Sequence, residues 1–146
     1  MMMKKIFIAV MILFTVCFAS AQQKKKTDSL ITVLNSLPVN ARRVPVLKQL
    51  SGQQNDAANI FKYGNEGLQL ATKLGLQKDE EAFLDALAGG YFKTENYPKD
   101  LEISFKGLAL SEKLLDTLYI CAYSRFFEIG NSGYNYSFAR SLVNDE

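Results

Sequence analysis

The side chains able to do chemistry are few in kind. The chain has 15 Asp and Glu residues, two cysteines, and neither histidine nor tryptophan. Without histidine, Ser-His-Asp and Cys-His catalysis are excluded, as is every metal site that needs an imidazole. Cys17 and Cys121 are too few for a cysteine-rich zinc site. Asp79, Glu80 and Glu81 form an acidic cluster. Consecutive helical positions point in different directions, so these three do not converge as an acid–base pair would. They suit a helix start, where the macrodipole favours negative charge. Asp100 and Glu102 also lie near an expected helix start. Gly64-Asn65-Glu66-Gly67 and Gly130-Asn131-Ser132-Gly133 lack the Lys-Ser/Thr and the preceding strand of a phosphate loop. Asn135-Tyr136-Ser137 fits the glycosylation triplet, a pattern short enough to recur by chance. No catalytic residue, metal ligand or cofactor is expected.

What remains is the chemistry of contact. Two glycines inside a helix, Gly89 and Gly90, each cost about 1 kcal/mol relative to alanine. Close approach of a neighbouring helix is the expected reason, and room for a bound peptide is the alternative. Tyr119, Tyr123, Phe126, Phe127, Tyr134, Tyr136 and Phe138 crowd together near the C-terminal end. Tyr119, Tyr123 and Phe126 share a helix face, for which core packing is the default. Where that helix has no neighbour, the aromatic face is left for another chain, a second copy included.

These residues must be held by a chain of 146, a length typical of one domain. It is 48% hydrophobic and 22% charged, the balance of a folded protein. The formal charge of +2 is too small to suggest nucleic-acid binding. Lys4 and Lys5, the apolar run from Ile6 to Phe18, and Ala19-Ser20-Ala21 form the three parts of a secretory signal over residues 1–21. The apolar run is shorter than the ~20 residues of a spanning helix, so no membrane anchor is expected after cleavage. Cleavage would leave 15 basic and 15 acidic residues, and a chain exported to the periplasm or secreted. Cys121 would then be the single thiol, with no intramolecular disulfide. Its apolar neighbours, Leu118 to Ala122, predict a small buried side chain.

Helical spacing recurs along the rest. Residues 22–40 read as a basic linker and a short helix, capped at Thr27 or Asp28, carrying Leu30, Val33, Leu34 and Leu37 and stopped by Pro38. A second helix begins near Val44, with Pro45 in its first turn. A third runs from about Asp56 to Leu74, where Gly75 signals a C-cap. A fourth starts at the 79–81 acids and carries Phe83, Leu84, Leu87, Ala88, Tyr91 and Phe92. Asn96 caps a fifth, with Pro98 in its first turn, reaching about Leu115. A sixth covers roughly 116–129, and 134–146 begins a seventh.

A repeat ties these helices together. Gly67-Leu68-Gln69-Leu70-Ala71-Thr72-Lys73-Leu74 and Gly107-Leu108-Ala109-Leu110-Ser111-Glu112-Lys113-Leu114 agree at five of eight positions, 40 residues apart. At the same offset Val44 matches Leu84 and Leu47 matches Leu87. A two-helix unit of this period signals a solenoid, because one hairpin cannot bury its apolar faces alone. Leu84, Leu87, Ala88 and Tyr91, with Tyr97 opening the next helix and Gly67 and Gly107 as small packing positions, resemble a tetratricopeptide repeat. Asp100 and Ser104 depart from that pattern, and Lys48 and Ser51 stand in the first repeat where Ala88 and Tyr91 stand in the second. The resemblance implies an all-α antiparallel helix-hairpin superhelix of two to three repeats over 41–146, divided as 41–80, 81–118 and a partial 119–146. It also implies a non-catalytic protein-binding module whose concave groove is lined by first helices. There Asp85, Gly89, Phe92 and Lys93 would meet a protein or peptide partner. The alternative is the exported sensing region of a histidine kinase or transcriptional regulator, which similar repeats form.

Overall fold

The computed structural model describes residues 22, 24–52 and 56–130, of whose side chains those after Tyr123 are left aside. Among the described residues the fold is all-α. The chain divides into two compact units, Met1–Ser36 and Leu37–Glu146. In the first unit a helix, α1, covers residues 24–36. It begins before Thr27 and Asp28, so neither residue caps it; Thr32 Oγ1 instead donates to the Asp28 carbonyl one turn back, at 2.9 Å. Leu34 is buried and Val33 is 44% exposed, so only part of the expected apolar stripe is covered.

The second unit opens with a short 3-10 turn, Ala41–Arg43, capped by the Asn40 side chain, which accepts from the Arg42 N–H at 3.0 Å. The helices α2 (Val44–Ser51), α3 (Ala57–Leu74), α4 (Gln77–Lys93), α5 (Tyr97–Leu114) and α6 (Thr117–Gly130) follow. Each packs on the next, and α2 also touches α4. Pro45 sits in the first turn of α2, where its missing N–H costs nothing. Asp56 and Asn96 cap α3 and α5 by accepting from Ala58 N–H and Lys99 N–H. α4 has no side-chain cap; it starts at Gln77, two residues before the acids expected to open it. α6 reaches Gly130, one residue beyond the expected end at about 129. The expected helix over 134–146 lies outside the described residues.

A 20-residue rhythm governs the turns. α3, α4, α5 and α6 start at 57, 77, 97 and 117. Gly75, Glu95 and Leu115, spaced by 20, take positive φ of 67°, 58° and 55°. At each of these ends the same backbone bond closes the helix: Leu76 N–H to Ala71 O, Asn96 N–H to Tyr91 O, and Asp116 N–H to Ser111 O, all 2.9 Å. This is the Schellman closure, which satisfies carbonyls left over at a helix end.

Two such helices make one 40-residue unit, and the packing repeats with it. Gly67 on α3 lies against the Phe83 ring of α4, and Gly107 on α5 lies against the Tyr123 ring of α6. A Cβ at either glycine would overlap the facing ring. Phe83 and Tyr123 are both fully enclosed. Contacts of Gly67 with Phe83, Gly64 with Leu87, and Gly90 with Ile60 run in opposite chain directions, so α3 and α4 form an antiparallel hairpin. Leu84, Leu87 and Ala88 are buried with Ile103, and Phe61, Leu68, Tyr91 and Leu110 pack around them. Tyr97, expected among the packing residues, is 43% exposed and meets Phe92 edge-on at 6.1 Å. Opening its helix at the first position, it has no preceding turn of the helix for the ring to lie on.

Cys121 also corrects the sequence reading: it is exposed. It lies about 200° around α6 from Tyr119 and Tyr123, at 100° per residue. Those two rings stack at 6.3 Å on the side that α5 covers. Glu81, the residue 40 positions earlier, is fully enclosed because α4 is packed by α2, α3 and α5. The remaining aromatic side chains of the C-terminal cluster lie outside the described residues. No helix of the described residues is long and apolar enough to cross a membrane.

Candidate functional site

A groove of about 520 Å³ lies between α2 and α4. Lys48 and Ser51 line it from α2, Gly52 from the turn after it, and Ile60 from α3. The wall from α4 consists of Ala82, Asp85, Ala86, Gly89, Phe92 and Lys93. These six α4 positions recur at intervals of three and four, the spacing of one helix face. The core positions Leu84, Leu87, Ala88 and Tyr91 occupy another face. The structure therefore brings Asp85, Gly89, Phe92 and Lys93 together along one groove.

The two adjacent glycines do different things. A Cβ at Gly90 would come within 2.8 Å of Ile60 Cγ2 and 3.0 Å of Phe61 Cε1, so Gly90 lets α3 approach α4. A Cβ at Gly89 would meet nothing within 4 Å. The packing explanation expected for the pair thus holds for Gly90 and is corrected for Gly89, which opens onto the groove. Small residues extend this opening. Ser51 is buried and donates its hydroxyl to the Lys48 carbonyl at 3.3 Å. It stands where the next repeat has Tyr91, so the groove keeps the space a ring would fill.

Charge is distributed unevenly along this surface. Lys48 Nζ is held by Asp79 Oδ1 at 2.8 Å, an ion pair that ties α2 to α4. Asp85 is half-buried, and burial first and the nearby Glu81 second push its carboxyl above the usual carboxylate range. Glu81 itself is fully enclosed, and neither carboxylate oxygen has a hydrogen-bond partner among the described residues. Lys78 Nζ is 3.8 Å from it, while Lys78 also bonds Asp116. Tyr119 and Tyr123 lie near both acids, and their phenols are pushed up, by burial first and by Asp85 next. Asp79 and Glu80 stand in the first turn of α4 as expected, with Asp79 also binding Lys48, whereas Glu81 is interior. Phe92 leaves 47% of its surface exposed.

A second polar feature sits away from the groove. Asp100 is buried and accepts from Ser104 Oγ at 3.2 Å. Burial pushes its carboxyl up, and the Ser104 hydrogen bond opposes that shift. These are the two positions that depart from the tetratricopeptide pattern, and they compensate one another. Among the described residues there is no cluster of three or more His, Cys, Asp or Glu placed to hold a metal ion. Lys48, Ser51 and Asp79 were not expected at the site; the α2–α4 contact that brings them there joins positions about 30 residues apart, beyond any local pattern. No protein-family model, curated protein or solved structure matches the chain.

Proposed function

We propose that the chain is an exported, non-catalytic interaction module of tetratricopeptide type that holds a peptide segment of a partner protein in the α2–α4 groove. The observation that carries this reading is Gly89. It is a helix-interior glycine with no neighbour to accommodate, and it lies in a groove that also exposes Phe92. Helix propensity alone disfavours a glycine here, and its lack of a side chain suits an open surface. The 40-residue recurrence of the Gly67–Phe83 and Gly107–Tyr123 contacts supports the repeat reading. An apolar groove with a few polar groups suits recognition by shape and limited charge.

The test is selection of short random peptides, displayed on phage, against the full chain. Selected peptides should bind the wild type and lose about tenfold or more in affinity for Gly89→Leu, whose Cβ has open space around it and whose side chain enters the groove. Peptides that bind the variant equally well, or a selection that yields none, would contradict the reading. Export is tested separately by the mass of the protein recovered from cells: loss of residues 1–21 is expected, and full-length protein retained in the cytoplasm would oppose it.

A further inference from the structure

Asp85 is an unusual residue to leave at the wall of a binding groove. It is half-buried, yet among the described residues no hydrogen bond or ion pair reaches its carboxylate. The other acid that borders this surface, Asp79, is already neutralised by Lys48. One turn before Asp85 stands Glu81, enclosed, with neither oxygen hydrogen-bonded and its ion-pair cation 3.8 Å away. Two acids one turn apart, both poorly compensated, make this stretch of α4 a site that lacks positive charge.

The surroundings fit a particular kind of cation. One turn after Asp85, Gly89 leaves an open slot, and Phe92 follows with its exposed ring. A flexible apolar stem can lie in that slot against the Phe92 ring, with its charged end reaching back to Asp85. Lys93 is eight residues from Asp85, about 12 Å along the axis at 1.5 Å per residue, so it stands at the other end of the groove.

We propose that Asp85 is the specificity residue of this groove, and that it receives a lysine or arginine side chain of the bound peptide, whose stem crosses the Gly89 slot beside Phe92. The assignment rests on the groove reading above. An incoming ammonium or guanidinium supplies the partner that Asp85 lacks, and hydrogen bonds to a charged group are the stronger kind.

The same displayed random peptides test it, selected in parallel on the full-length wild type, Asp85→Asn and Asp85→Lys. The wild type should enrich lysine or arginine at one position. Those peptides should bind Asp85→Asn about tenfold more weakly. Asp85→Lys should select acidic residues at the same position. Asn has nearly the shape of Asp, and circular dichroism checks the fold; Asp85→Ser gives the same readout if Asn disturbs it. Peptides that respond to Gly89→Leu but show no basic preference, or that bind Asp85→Asn unchanged, would overturn the role of Asp85 and leave the groove standing. Peptides indifferent to Gly89→Leu, or no selection at all, would overturn both.

Discussion

Replacing Gly89 and Gly67 by alanine, one at a time, should change stability in opposite directions. Both are interior helix glycines, so alanine gains about 0.8–1.0 kcal/mol of helix propensity at each. At Gly89 nothing lies within 4 Å of the new methyl, and the gain is kept. At Gly67 the methyl overlaps the Phe83 ring, and Phe83 is fully enclosed, so it has nowhere to turn. Overpacking of this kind costs about 1–3 kcal/mol, and the overlap places Gly67 at the upper end. The net expectation is about 1 kcal/mol of stabilisation for Gly89→Ala and about 1–2 kcal/mol of destabilisation for Gly67→Ala. For a unit of this size that corresponds to a rise of about 3–6 °C in Tm for the first, and a fall of similar or larger size for the second. Thermal and urea unfolding followed by far-ultraviolet circular dichroism reads both. Gly107→Ala, against Tyr123, should behave as Gly67→Ala does, and Gly90→Ala should fall between, because the Phe61 it meets is only half-buried. A Gly89→Ala variant as damaged as Gly67→Ala would refute the claim that Gly89 faces open space. A Gly67→Ala variant as stable as the wild type would refute the ring-against-glycine packing on which the repeat rests.

The non-glycine αL residues give a second stability test: Glu95→Gly and Leu115→Gly should each stabilise by about 1 kcal/mol, since only glycine adopts this conformation without strain, and no change in urea midpoint would count against the assigned turns. For Asp85, burial and Glu81 raise the folded pKa above its unfolded value, so its protonated form stabilises the fold below about pH 3.9 and that contribution is lost as pH rises through the raised folded value. Asp85→Asn should therefore gain on the wild type as pH rises from acid to neutral, in urea unfolding at several pH values; a constant difference would be the contrary result. Glu102 and Asp116 act in the opposite sense. Lysines 99 and 106 hold the first low and Lys78 the second, so their stabilisation is lost as pH falls. In a Cys17→Ser variant, the Cys121 thiol should react with a disulfide reagent in the native state nearly as fast as in urea, whereas strong native protection would contradict its exposure.

Much of this architecture is legible in residue types, because the signals are local. Asp56, Gly75 and Asn96 mark helix ends through capping chemistry, and the structure uses all three. The 40-residue echo from Gly67 to Gly107 marks equivalent packing positions, and both glycines do face rings. Leu115 hides the same turn as Gly75 under a residue with no αL preference, so only the offset reveals it. Burial is harder to read than helicity. Cys121 and Glu81 are equivalent by the repeat, yet the apolar-looking position is exposed and the acidic one enclosed. Among the described residues α4 is packed by α2, α3 and α5 and α6 by α5, a tertiary difference that no local pattern shows. On the α4 side of the groove, Asp85, Gly89, Phe92 and Lys93 are named through the repeat resemblance, and they share one helix face. The α2 side is not legible in the sequence, because Lys48 and Ser51 look like mere departures from a repeat until α2 is laid against α4.

The claim that the α2–α4 groove holds a peptide is tested most directly by where such a peptide touches the chain. A peptide selected on the wild type would be titrated into isotopically labelled protein and followed by amide chemical shifts. The account predicts the largest changes at Ser51, Gly52, Asp85, Gly89, Phe92 and Lys93. Changes confined to α5 and α6, with these six unmoved, would contradict it.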